Sequence, residues 1–200
     1  MFLSKKTPLV AIDMGSHSIK LVQLAQLKNG SFELVSLGMM PLEQGSIVEG
    51  AIKDPGQVAE ALANLVKAEK IQSNFVVASV SGEAVFVKKI KVPEMSEEEL
   101  SKKITEEAEQ YIPFDINDVA LDYQILEKVN GTASEPEEQE KKSSDEDGED
   151  QDSSMVEALL VAVQRDVIDE RTDVLLEAGL KPAIIDLDVF ALMNAARLNK

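Results

Sequence analysis

The sequence predicts a mixed α/β chain of two units, one inserted into the other. Three observations carry this. Apolar runs at Leu9–Asp13, Ile19–Leu27 and Phe32–Met39 alternate with polar residues and are joined by turn signals, the pattern of a three-strand antiparallel meander. Helical stripes then alternate with short apolar strands. After Ser81-Gly82 the order restarts as strand, helix, strand, strand, helix, and the stretch from Lys181 returns to the style of the first unit. On this reading residues 1–81 and 181–200 form one unit and residues 82–180 the inserted one.

The elements follow in order. Asn29-Gly30 is a strong hairpin signal between the second and third strands. Asp54-Pro55 opens a helix, with Asp as cap and Pro in the first turn, and Val58, Leu62, Leu65 and Val66 form its buried stripe. Phe75–Val80 is a short apolar strand. In the inserted unit, strand Val85–Val92 ends at Pro93, and Ser96 with Glu99 makes a capping box. The helix that follows carries Leu100, Ile104, Ala108 and Tyr111 on one face and stops before Pro113. Strands Val119–Leu126 and Val156–Val163 come next, then helix Asp166–Ala178, ended by Gly179. Strand Pro182–Asp188 and helix Phe190–Asn199 close the chain. Phe75, Phe86 and Tyr111 read as core aromatics, and Met39, Met40 and Met95 as packing residues.

Charge is unevenly placed. The chain carries a net charge of −17, which argues against nucleic-acid binding. Residues 130–154 hold ten acids and two lysines with almost no large apolar side chain, the composition of a disordered acidic loop. Its acids lack the spacing of an EF-hand. There is no cysteine, hence neither a disulfide framework nor a thiolate metal site. No apolar run reaches the roughly 18–20 residues of a membrane span, and the first ten residues lack the order of a signal peptide, so the expectation is a soluble, cytoplasmic protein.

The segment with the most chemistry is Asp13-Met14-Gly15-Ser16-His17-Ser18-Ile19-Lys20. A strand runs into an acid, a tight turn follows, and a lysine stands seven residues after the acid. Gly15 lets a ligand approach the backbone, turn N–H groups suit anionic oxygens, Lys20 supplies a point charge and Asp13 can order a hydrated magnesium ion. The same residues also read as an ordinary hairpin turn with a solvated lysine. His17, the single histidine, reads either as a phosphate contact or as a solvated turn residue. No Ser/His/Asp arrangement or histidine cluster stands out.

These residues carry a resemblance. Asp-x-Gly-Ser-x-x-x-Lys between the first two strands of a meander resembles the first phosphate loop of the actin-like ATPases. An insertion after the fourth strand resembles the division protein FtsA and its relatives of the PilM family. Val92-Pro93-Glu94-Met95-Ser96-Glu97-Glu98-Glu99-Leu100, Glu107-Ala108-Glu109-Gln110-Tyr111-Ile112-Pro113-Phe114 and Leu121-Asp122-Tyr123-Gln124 are very similar to the PilM family of type IV pilus assembly. The similarity runs from about Val10 to Leu192, with the acidic loop outside it.

The resemblance implies an actin-like (ribonuclease-H-like) lobe with an inserted subdomain. It implies ATP with Mg²⁺ as cofactors, held by Asp13, Gly15, Ser16, Ser18 and Lys20. Asp13 and Asp188 would order the metal; Asp188 takes the place of a family glutamate, with Val189 where the family has proline, and it reads equally as a helix N-cap. No catalytic residue is implied, and ATPase activity is expected to be weak or nil. The second lobe of the family, with its own phosphate loop and adenosine pocket, has no counterpart in these 200 residues, which implies weak or no ATP binding by this chain. The implied function is that of a cytoplasmic scaffold at the inner-membrane platform of the type IV pilus, and so of twitching motility. Its implied partner is the short cytoplasmic N-terminal tail of PilN, gripped between the lobe and the inserted subdomain. Contact with the membrane and with PilO and PilP would run through PilN, and self-association stays open. Glu107 or Glu109 could meet an arginine of the tail. Two alternatives are an FtsA-like division filament protein and a sugar or small-molecule kinase of the same superfold. The kinase reading lacks a candidate base and sugar loop.

Overall fold

A computed structural model describes residues 9–129 and 155–198 of the chain. The acidic loop predicted over 130–154 lies outside the described residues.

The meander forms as its alternation requires. β1 (Val10–Met14), β2 (Ser18–Gln26) and β3 (Phe32–Pro41) pair antiparallel, with Asp13 opposite Lys20 and Val22 opposite Leu37. The β2–β3 turn is closed by Leu27 N–H on the Ser31 carbonyl at 2.8 Å, and Gly30 takes the positive φ (87°) that the turn demands. A small hairpin, β4 (Ile47–Val48) and β5 (Ala51–Ile52), follows. Its turn residues Glu49 and Gly50 both have positive φ, as a two-residue type I′ turn requires. Helix α1 (Pro55–Ala68) is capped by Asp54, whose Oδ1 accepts the Gln57 N–H at 3.0 Å.

β6 (Phe75–Val80) and β10 (Lys181–Leu187) run parallel to β1, giving a five-stranded sheet in the order β10-β6-β1-β2-β3. One face is buried. Val10, Ile12, Ile19 and Leu21 pack there with Val58, Leu62 and Leu65 of α1 and with Val174 and Leu175 of helix α3 (Arg165–Glu177). Gly38 on β3 lies close against α1, where a Cβ would meet Leu65 Cδ1 at 2.8 Å. The other face of β2 and β3 is open, which explains why Met39 is exposed rather than packed. Helix α4 (Asp188–Leu198) follows β10 and buries none of its residues.

The second unit has its own core. Strands β7 (Val85–Pro93), β8 (Val119–Val129) and β9 (Met155–Gln164) form a sheet in the order β7-β9-β8. Helix α2 (Glu97–Tyr111) lays Leu100, Ile104 and Ala108 on Ile90, Val92, Ala158 and Leu160. Its capping box is complete, and the hydrogen bonds from Ser96 hold the Glu99 carboxyl below the ordinary glutamate range. Tyr111 departs from the core reading: it is partly exposed, with the Lys88 ammonium 3.6 Å from its ring centre. Phe75 is also partly exposed, whereas Phe86 packs against the second core.

The unit boundary needs correction. The units are Met1–Val85 with Val163–Lys200, and Phe86–Ala162, not 82–180. Helix α3 belongs to the first unit because Val174, Leu175 and the following Leu180 enter the core around α1. Periodicity marks the apolar stripe of a helix but does not say which sheet that stripe will meet.

Candidate functional site at the strand ends

The parallel strands β10, β6 and β1 place their C-terminal ends on one edge of the sheet, where open α/β sheets bind ligands. Register shows what meets there. Ile12 pairs with Ala78, and Asp186 with Ser79. Carrying the register on by one residue sets Asp13, Ser79 and Asp186 in one row, with Lys20 opposite Asp13 on β2. Four strands thus contribute a polar row, Lys20–Asp13–Ser79–Asp186, on the open face.

Within that row Lys20 Nζ lies 2.7 Å from Asp13 Oδ2, and both side chains are more than half exposed. In the turn beyond, the Gly15 N–H donates to the Ser18 carbonyl at 3.1 Å. That amide closes the turn and so does not itself face an anion. A Cβ on Gly15 would stand 3.9 Å from Lys20 Nζ, which places the ammonium over the turn. Ser16 and His17 are exposed and line a cavity of about 580 Å³ with Leu42, Gln44, Ile47 and Glu49. The His17 carbonyl accepts the Leu42 N–H at 2.9 Å and ties the turn to the end of β3.

Asp188 is the first residue of α4, directly after β10. Leu187 pairs with Val80, so Asp188 stands at the same sheet edge as Gly15 with β6 between them. Two strand spacings make about 10 Å between β1 and β10. A magnesium ion keeps several waters and could span carboxylates set this far apart through its hydration shell. No group of three or more metal-binding side chains occurs among the described residues. An exposed ammonium over a tight turn, with carboxylates across the sheet edge, fits a hydrated Mg²⁺–phosphate group.

Two residues escape a reading of the sequence. Asp186 joins the row because Leu187 points inward, and strand alternation could have found it. Arg171 of α3 gave no signal. It is 3% exposed, and its Nε and Nη2 donate to the carbonyls of Ser79 (3.1 Å) and Gly50 (3.0 Å). Burial pulls its pKa below the ordinary guanidinium range. It ties the β4–β5 turn to the end of β6, beside the polar row. On α2, Glu107 is engaged by Lys103 at 3.1 Å, whereas Glu109 is exposed.

Comparison with known proteins bears on this geometry. The family model described as type IV pilus assembly protein PilM matches residues 11–141 and 147–200. A solved PilM–PilN type IV pilus biogenesis complex matches with a TM-score of 0.73 and 26% identity, over 92% of this chain and 48% of that one. The cytoplasmic domain of EpsL, an inner-membrane component of the type II secretion system of Vibrio cholerae, matches with a TM-score of 0.54 and 14% identity. That match covers 92% of this chain and 58% of the EpsL domain, and it speaks to fold alone. The chain thus spans about half the length of the solved chains it matches. The expected fold, a single actin-like lobe with an inserted unit, agrees with these matches.

Proposed function

This chain belongs to the PilM family of type IV pilus assembly proteins, and we propose that it serves as a scaffold of the pilus assembly platform, taking the cytoplasmic N-terminal tail of PilN. The observation that carries this reading is the family match over nearly the whole chain, supported by the likeness to a solved PilM–PilN complex. No helix among the described residues is long and apolar enough to cross a membrane, so the scaffold would meet the inner membrane through its partner. Mg²⁺–ATP is the proposed cofactor of the complete two-lobed form. When bound it would supply charge that braces the sheet edge, a role for binding energy rather than hydrolysis. Lys20, now paired with Asp13, would turn to the phosphate charge, freeing Asp13 for waters of the metal, and Gly15 would keep the approach open. Asp186 and Asp188 would hold the far side of the hydrated ion.

The test is fluorescence anisotropy of a labelled peptide copying the PilN tail. Binding in the micromolar range, about −8 kcal/mol, is expected for a short peptide that must be ordered on the protein. Apolar burial should make it largely insensitive to added salt. No binding at roughly 100 μM protein, with the fold verified by circular dichroism, would contradict the scaffold reading.

A further inference from the structure

The tip of the β4–β5 hairpin and the end of β6 lie against each other. A Cβ on Gly50 would stand 3.8 Å from the Ser81 carbonyl oxygen, and one on Gly82 would stand 4.0 Å from the Glu49 carbonyl oxygen. Arg171 of α3 grips both segments, through Ser79 at 3.1 Å and Gly50 at 3.0 Å. Beside it, Glu170 Oε2 accepts the Ile52 N–H at 3.4 Å. The base of the hairpin is fixed separately. Ser46 is buried there, its carbonyl accepts the Lys53 and Asp54 N–H groups at 2.7 and 3.2 Å, and its Oγ meets Gln57 of α1. Arg171 therefore governs where the tip stands, not whether the hairpin forms.

Both gripped segments border the candidate site. Ser79 stands in the polar row between Asp13 and Asp186. Glu49, next to Gly50, lines the cavity of about 580 Å³ together with Ser16 and His17 of the turn after β1. A guanidinium suits this task, because its planar fork presents several donors at fixed angles. It serves to hold rather than to fill: Nη1 is buried without a hydrogen-bond partner, a cost that a purely apolar packing residue would not carry.

We propose that Arg171 is the positioning residue of the phosphate-binding edge, holding the end of β6 and the hairpin tip in the arrangement that sets Ser79 and Asp186 across from Asp13 and Lys20. The inference rests on the phosphate reading of that edge. Arg171 touches no ligand in this role; it acts through the backbone of Ser79 and Gly50. Without its grip the two segments are free to part, and the far side of the row no longer stands in register with a phosphate group held at Lys20.

Titration of the full ¹⁵N-labelled 200-residue chain with Mg²⁺–ATP tests this. It is read on amide peaks of the folded state, which report affinity whatever fraction of the chain is folded. In Arg171→Met the concentration needed for a given shift at Lys20 should rise at least about 10-fold, as it does when other groups that orient a binding shell are removed. The response that remains should sit at Gly15, Ser16 and Lys20, with that of Ser79 and Asp186 lost. Arg171→Lys, with a point charge in place of the fork, should fall between the wild type and Arg171→Met. Gly38→Ala, which strains the packing of α1 on β3 and leaves Arg171 in place, should titrate as the wild type does. If Arg171→Met fails to fold by circular dichroism, Arg171→Lys carries the comparison. A wild type that gives no shifts removes the phosphate reading and this inference with it. A wild type that responds, with the Arg171 variant responding alike or with Gly38→Ala weakened just as much, removes this inference alone.

Discussion

Arg171→Ala is expected to destabilise the first unit by about 2–4 kcal/mol. The guanidinium donates to the carbonyls of Ser79 and Gly50, which come from segments 29 residues apart, beside the longer 3.4 Å bond from the Ile52 N–H to Glu170 Oε2 of the same helix. Its removal takes a buried hydrogen bond from each carbonyl, at about 1–3 kcal/mol each. Relief from burying a charge offsets part of this, because Nη1 has no hydrogen-bond partner and burial opposes the charge more than neighbouring Glu170 favours it. Arg171→Met separates the terms. It keeps the packed stem and loses only the hydrogen bonds and the charge, so its cost should be smaller, about 1–2 kcal/mol. Urea denaturation of the three proteins measures both values. An Arg171→Ala variant within about 0.5 kcal/mol of wild type would mean that the β4–β5 turn is held in place by other contacts.

The second large effect is expected at Gly38. A Cβ there would lie 2.6 Å from Glu69 Cγ and 2.8 Å from Leu65 Cδ1. Glu69 could swing away, at the cost of the hydrogen bond its Oε2 accepts from Ser36 Oγ at 2.8 Å. Leu65 cannot move, being 2% exposed in the core. Gly38→Ala should cost about 1–2 kcal/mol and Gly38→Val about 3 kcal/mol or more, since overpacking costs grow with each added group. Thermal unfolding followed by circular dichroism reads the difference. A Gly38→Val protein as stable as wild type would show that α1 can lift from β3 at little cost.

Much of the fold could be read from the sequence because local signals agreed with it. The Asp54-Pro55 start of α1, the Ser96/Glu99 box of α2 and the Asn29-Gly30 turn each state their structure within a few residues. The β4–β5 hairpin was not legible. Its turn is Glu49-Gly50, and glutamate is not a residue that announces positive φ as asparagine or aspartate does. The allegiance of α3 was illegible for a different reason. Val174 and Leu175 would make the same stripe whichever core they joined, and the choice depends on contacts with α1 more than a hundred residues away. The aromatic core reading failed at Tyr111 and Phe75, which are half covered and sit under lysines.

The site was legible at its near side only. Asp13, Gly15 and Lys20 lie in one short segment, and the fold pairs Lys20 with Asp13 over the Gly15 turn. Asp186 and Asp188 join them through parallel pairing of β10 with β6, a non-local fact. Arg171 could not be found from sequence, because a lone arginine in an amphipathic helix ordinarily points to solvent.

The most direct test of the account is where a phosphate ligand perturbs this chain. Amide chemical shifts of the uniformly ¹⁵N-labelled protein would be followed by NMR during titration with Mg²⁺–ATP to millimolar concentration, a range that detects even weak binding. Shifts are expected at Gly15, Ser16, Ser18 and Lys20 on the turn and strand, and at Ser79, Asp186 and Asp188 across the sheet edge, all lost in Lys20→Ala. Shifts confined to residues away from this edge, or a pattern unchanged by Lys20→Ala, would contradict the account.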